Sequence, residues 1–341
     1  MEPQQILARY KPDIEAELRR VVGDSPLLLY DMMRYHLGWI DPSGNPKKAD
    51  SGKLLRPTLC LLACEAVGGQ YEKALPSAAA IELVHNFSLI HDDIEDASPE
   101  RRHRPTVWSI WGEAQAINAG DCMHAMARGA VLKLEQREVA PDKVLRAARI
   151  LDDACIKLCE GQYQDISFED RLDIKVYDYF TMIQAKTATL IGSSLEIGAM
   201  LGTDDEPVIA SLKDFGHKLG IAFQIKDDIL GIWGREERTG KPSAGDIRQR
   251  KKTLPIVYAL EKAPDPVKDA LCQIYSKKSL SDRDVSDVIK ILDSSGALGY
   301  CKSLAEKYYH EAIYELDTAA ILPGPRQQLK ILAAFIMERE Y

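Results

Sequence analysis

Residues Glu82–Thr106 read ELVHNFSLIHDDIEDASPERRHRPT. Apolar residues recur at three- and four-residue spacing through Leu83, Val84, Phe87, Leu89 and Ile90 without Gly or Pro, so Val84–Asp96 is predicted helical. Asp92 and Asp96 then fall one turn apart on the same face, their Cβ atoms about 5–6 Å apart, and repel unless a cation lies between them. Mg²⁺ suits such a pair: it prefers oxygen ligands and is commonly held by one or two carboxylates plus substrate phosphates. After a Ser-Pro break the chain turns basic at Arg101, Arg102 and Arg104, and guanidinium groups match phosphate oxygens two at a time.

Alone, an acidic helix end followed by a basic loop is usually a solvated surface. A second copy of the acid pattern changes the balance. Phe223–Gly231, FQIKDDILG, again places two acids, Asp227 and Asp228, at the end of an apolar helix. Two such helix ends suggest two metal-bearing walls of one cavity.

Working outward, Glu2–Leu37 fits two amphipathic helices broken near Gly23–Pro26, and Asp41–Pro46 is turn chemistry. Leu75–Asp96, Ile117–Leu134, Asp142–Gly161 (with a polar extension to Asp165), Tyr177–Leu201 and Pro207–Ile232 are predicted helices. Lys186 and Thr187 interrupt an otherwise apolar stretch, and a buried Lys needs a partner. No stretch shows sustained strand alternation. The expectation is an all-α helix bundle with a central substrate cavity, one domain over residues 1–341.

The motifs DDIED followed by RRHRPT, and DDILG followed by TGKPSAGDIRQRKKTLP, resemble the two aspartate-rich motifs of the trans-isoprenyl diphosphate synthases, the geranylgeranyl/farnesyl diphosphate synthase family. Recognisable motifs run from roughly Lys53 to Pro255. The resemblance implies a Mg²⁺-dependent prenyltransferase that joins an allylic diphosphate to isopentenyl diphosphate head to tail. Asp92, Asp96 and Asp227 would hold the metal, three Mg²⁺ by family pattern, with Mn²⁺ as a substitute. Lys53, Arg56, His85 and Arg102 would take isopentenyl diphosphate. Arg101, Lys186, Thr187, Gln224, Lys241 and Lys251 would surround the allylic diphosphate, with Arg101, Lys186, Thr187 and Gln224 nearest the chemistry.

The resemblance also implies a homodimer pairing through long apolar helices. Phe87 and Ser88, five and four positions before the first Asp, would set product length. An aromatic at the fifth position alone favours geranylgeranyl diphosphate, with farnesyl diphosphate next. One departure stands out: the second motif usually runs DDxxD, and its fifth position here is Gly231. Restoring an acid by Gly231→Asp is expected to be tolerated.

Two alternatives remain at this level. A class I terpene cyclase shares the bundle and the first motif, but usually carries an Asn-Ser-Glu type of second motif. A di-iron bundle would use the E-x-x-H patterns Glu82–His85 and Glu100–His103.

Composition fits the main reading. A net charge of −8 argues against general nucleic-acid binding. Seven scattered cysteines lack zinc-site spacing and are read as reduced thiols. No signal-peptide core and no apolar run long enough to span a bilayer is evident, so a cytoplasmic location without membrane insertion is expected.

Overall fold

The computed structural model describes residues 2–47, 49, 52–234 and 244–338. Helices dominate these residues, in keeping with the all-α expectation. They gather into two compact units: Met1–Asp152 with Ser194–Ile209 and Ala320–Leu329, and Asp153–Ser193 with Ala210–Ala319 and Lys330–Tyr341.

The first unit is built around helix α4, Tyr71–Glu95. Its alanines (Ala74, Ala78, Ala79 and Ala80) and its Ile81, Leu83, Val84 and Ile90 are all buried, so it is apolar on nearly every side. A helix with that pattern belongs in a core. It packs chiefly against α6 (Glu113–Leu132), α3 (Leu55–Ala66) and α1 (Pro3–Val22). Helix α1 buries Ile6, Tyr10, Ile14, Leu18 and Val22, a stripe at four-residue spacing. Helix α2, Leu28–His36, lies against α6 and the short α5, Val107–Trp111. The acids of the first motif thus sit at the C-terminal end of a long, largely buried helix.

The two termini of that motif are fixed differently. The Asp96 N–H bonds to the Asp92 carbonyl and the Ala97 N–H to the Ile94 carbonyl, closing the helix. Beyond it, Glu100–Arg101 (β1) and Arg104–Pro105 (β2) form a two-residue-per-strand antiparallel hairpin. Arg102 and His103 make the turn, with φ of 52° and 57°. Sequence patterning read this segment only as a basic loop. Its short hairpin carries none of the Asn-Gly signals that usually supply two positive-φ residues. Two non-Gly residues in the left-handed region cost about 1–2 kcal/mol each and persist where surrounding contacts hold them. The holding contacts are the hydrogen bonds from the Thr106 hydroxyl and the Trp108 indole to the Ser98 carbonyl, at 3.0 and 2.8 Å.

The second unit is organised on the C-terminal part of α10 (Glu206–Trp233). Ile221, Ile225 and Ile229 pack with Tyr179, Met182, Leu254, Val257, Cys301 and Ala305. A neighbouring cluster joins Ile232, Ala244, Ile247, Ile256, Tyr275 and Leu292. The predicted single helix Tyr177–Leu201 is in fact α8 (Val176–Ile183), a π-helical turn at Gln184–Ala188, and α9 (Thr189–Gly202). Such single π turns recur at functional sites because they re-aim side chains without ending the helix. This one carries Lys186 and Thr187.

Candidate active site

In the first unit, Asp92 and Asp93 have different surroundings. Asp93 is 2% exposed, and its Oδ1 accepts a 2.7 Å hydrogen bond from Arg101 Nε. The Asp92 side chain is 21% exposed, and its Oδ2 accepts from Arg101 Nη2 at 3.1 Å. Burial pushes the Asp93 carboxyl up to about 6, against the downward pull of Arg101. One arginine therefore anchors the inner acid and touches the outer one. Asp96 is partly exposed one turn on.

Deeper along α4, His85, Arg56 and Arg102, expected to take the second substrate, lie near one another. His85 Nε2 lies 3.3 Å from Arg56 Nη1. Burial, then the charges of Arg56 and Arg102, hold the His85 imidazole well below its ordinary value, so it is neutral near pH 7. Arg102 lies against Gly52 (φ +85°), where an added Cβ would stand 2.7 Å from Nη2. The Gly before Lys53 thus makes room for the guanidinium. Lys53 is exposed beside it. Behind them is a carboxylate that the sequence placed only in the di-iron alternative. Glu82 is buried; its Oε1 and its backbone carbonyl each accept from Asn86 Nδ2 at 2.8 Å. Burial pushes its carboxyl up to about 7, offset in part by Asn86, Arg56 and Arg102.

His36 joins the same cluster; its Nε2 is buried without a hydrogen-bond partner, and it lines a cleft with Asp93, Arg101, Arg102 and Arg104. Arg104, though part of the basic run, is spent on structure: it donates to the Tyr35 and Ile40 carbonyls and stacks on the Tyr35 ring at 4.0 Å. Phe87 is buried against His124 of α6, ring centroids 4.8 Å apart, and the Ser88 hydroxyl donates to the His85 carbonyl.

In the second unit the inner acid is Asp228, 4% exposed. It accepts from Tyr179 Oη (2.7 Å), the Leu254 N–H (2.8 Å) and Gln224 Nε2 (3.0 Å). Burial pushes it up to about 7 while those three donors pull it down. Asp227, the outer acid, is exposed. The Thr187 hydroxyl donates to Gln224 Oε1 at 2.8 Å, which links the π turn to α10. Lys186, as a half-buried lysine should, has a partner: Asp165 Oδ2 at 2.5 Å. Gly161 lets the backbones meet, since a Cβ there would stand 2.3 Å from the Lys186 nitrogen.

Lys251 is partly exposed, whereas Lys252 turns inward, donating to the Glu169 carbonyl at 2.7 Å and lying over the Tyr275 ring. Lys241 lies outside the described residues.

The donors fit Mg²⁺. Asp92, Asp96 and Asp227 offer only hard carboxylate oxygens. Among the described residues no three acids, histidines or cysteines gather into a closed cage. Glu100 and His103 occupy the hairpin, not a facing helix, so the di-iron alternative lacks its second ligand helix.

Comparison with known proteins agrees. A model of the polyprenyl synthetase family matches residues 45–292. The chain is 37% identical over 335 residues to geranylgeranyl diphosphate synthase of Mycobacterium tuberculosis H37Rv, covering 98% of this chain and 93% of that protein. It is 36% identical over 312 residues to (2E,6E)-farnesyl diphosphate synthase of the same strain, covering 91% and 86%. Among solved structures, polyprenyl synthetase from Streptomyces coelicolor A3(2) matches with a TM-score of 0.90 at 36% identity, covering 97% of this chain and 98% of that one. Geranylgeranyl pyrophosphate synthetase from Pyrococcus horikoshii Ot3 gives 0.89 at 35% identity, covering 98% and 99%. The chain belongs to the polyprenyl synthetase family and is a trans-prenyltransferase. These likenesses do not favour the terpene cyclase alternative.

The buried Glu82 gives this site a pH signature. Its folded value, about 7, lies above the ordinary value of about 4.3. Between those limits the folded chain keeps a proton that the unfolded chain has lost. The stability this group contributes is therefore complete below about pH 4 and lost as pH rises through about 7. Glu82→Gln cannot ionise. In denaturant unfolding at pH 5 and pH 8, the parent should lose on the order of 2 kcal/mol more than the variant. Parallel losses would show that Glu82 is ionised throughout.

Proposed function

We propose that the chain condenses an allylic diphosphate with isopentenyl diphosphate to make a short-chain trans-prenyl diphosphate, most readily geranylgeranyl diphosphate, then farnesyl diphosphate. The observation that carries this reading is the division of each aspartate pair into one anchored and one displayed carboxylate, Asp93 with Asp92 and Asp228 with Asp227. Residues 1–341 are taken as one functional domain, and a homodimer is assigned to α6, where Ile117 and Leu132 are exposed.

Asp92, Asp96 and Asp227 would hold Mg²⁺, three ions by family pattern. Bound there, Mg²⁺ would neutralise charge growing on the departing diphosphate. Arg101, oriented by Asp93, and Lys186, paired with Asp165, supply fixed positive charge to the same leaving group, joined by Lys241 and Lys251. Thr187 and Gln224 would position the allylic end. The allylic C1–O bond breaks, leaving an allylic cation and pyrophosphate. Lys53, Arg56, His85 and Arg102 hold isopentenyl diphosphate by its phosphates so that its terminal C4 attacks C1, forming the new C–C bond. Bond formation leaves the positive charge on C3 of the isopentenyl unit; C2 then loses a proton to the departed pyrophosphate, giving the C2=C3 double bond. Apolar helix faces keep water from the cation.

Incubation with Mg²⁺, isopentenyl diphosphate and each allylic diphosphate in turn, with product length measured, tests the whole reading. Asp92→Ala and Asp96→Ala should each slow single-turnover condensation by far more than tenfold. Rates within tenfold of the parent, a barrier change of about 1.4 kcal/mol, would remove these residues from the metal set.

Product length is assigned to the Phe87 position. Removing its ring in Phe87→Ala opens space beside His124 that a longer tail can fill, and Ser88→Phe fills space a tail needs. The first variant should shift products upward in carbon number and the second downward. Identical product distributions in parent and both variants would place the floor elsewhere.

A further inference from the structure

Gly231 follows Asp227 by four residues on α10, one turn along the same face. In the first motif the equivalent four-residue step leads from Asp92 to Asp96. Here it leads to a residue with no side chain. The space is nevertheless filled by a carboxylate. A Cβ built on Gly231 would stand 1.8 Å from Asp246 Oδ2, 2.6 Å from its Cγ and 3.2 Å from its Oδ1. The Asp246 carboxylate lies where a side chain at 231 would begin.

Asp246 is held there by its own segment. The short helix Gly245–Arg248 is preceded by Ala244 in the left-handed region (φ 58°), and both Ala244 and Ile247 are buried in the cluster with Ile232, Tyr275 and Leu292. The Lys251 N–H bonds back to the Asp246 carbonyl at 2.9 Å, closing the turn that presents Lys251. Asp246 is thus fixed against α10 by an apolar anchor one residue to its C-terminal side.

We propose that Asp246 is the missing acid of the second motif: with Asp227 it forms the carboxylate pair that holds a divalent cation at this helix end. The pair that Asp92 and Asp96 make within one helix is made here between a helix and the segment packed on it. This assignment rests on Asp227 being a metal ligand. It also bears on the expectation that Gly231→Asp is tolerated: a side chain at 231 would meet the Asp246 carboxylate, which would have to shift, and two like charges would share one space.

The test follows the unfolding temperature of the full chain as Mg²⁺ is titrated in the presence of inorganic pyrophosphate, which gives an apparent Mg²⁺ affinity independent of turnover. Asp246→Ala and the shape-conserving Asp246→Asn should each weaken that affinity about tenfold or more. Asp227→Ala should do the same. Gly231→Asp alone should melt below the parent. Combined with Asp246→Ala, which vacates the space, it should restore the Mg²⁺ affinity to within about threefold of the parent. The proposal is overturned if Asp227→Ala weakens Mg²⁺ binding while both Asp246 variants match the parent. It is equally overturned if the double variant melts like the parent yet binds Mg²⁺ as weakly as Asp246→Ala. An Asp227→Ala variant with unchanged affinity would instead overturn the underlying metal assignment.

Discussion

A carboxylate buried at the end of an apolar helix must be met by donors, and in each unit that demand is what orients the acid beside it. Asp93 is met by Arg101 Nε; Asp228 is met by a phenol, an amide side chain and a backbone N–H. Removing a partner from such a group costs about 3–5 kcal/mol, because the charge left behind is desolvated. Consecutive helical residues point about 100° apart. Locking Asp93 and Asp228 inward therefore holds Asp92 and Asp227 outward on a rigid helix end, without a loop to blur their positions.

The same economy of anchoring recurs around the pairs. Arg101 bonds both acids of its pair, so its guanidinium is fixed by two carboxylates at once. Lys186 is carried on a π turn and paired with Asp165. Thr187, Gln224 and Asp228 form one hydrogen-bonded chain, tying the π turn to α10. The strained Arg102–His103 turn puts Arg102 beside Gly52, next to Lys53. In each case a polar group at the site is positioned by a partner from another element.

That is also why the sequence was informative about some of these features and silent about others. Apolar periodicity located the helices that carry both motifs, because burial of a helix face is a local pattern. The Asp-Asp pairs and the arginine run stood out because charge is costly at an apolar helix end. The need of Lys186 for a partner was legible; that the partner is Asp165, 21 residues earlier, was a matter of tertiary packing. Lys251 and Lys252 are indistinguishable by type, and only the fold turns Lys252 inward onto Glu169. Glu82 entered the sequence reading only through an E-x-x-H pattern, and its setting among Asn86, Arg56 and Arg102 comes from the fold. The Arg102–His103 hairpin lacks the glycine that would have announced it, and Gly231 looked like a lost ligand because Asp246 approaches from a distant segment.

The division of labour within each pair is the claim on which the rest depends, and four Asn variants test it together. Titration calorimetry with Mg²⁺ and inorganic pyrophosphate, run beside thermal unfolding, separates binding from stability. Asp92→Asn and Asp227→Asn should lose Mg²⁺–pyrophosphate binding while melting close to the parent. Asp93→Asn and Asp228→Asn should melt markedly lower while whatever remains folded still binds. If the inner variants keep the parent's melting temperature and lose binding, the anchored acids are themselves ligands and the account is wrong.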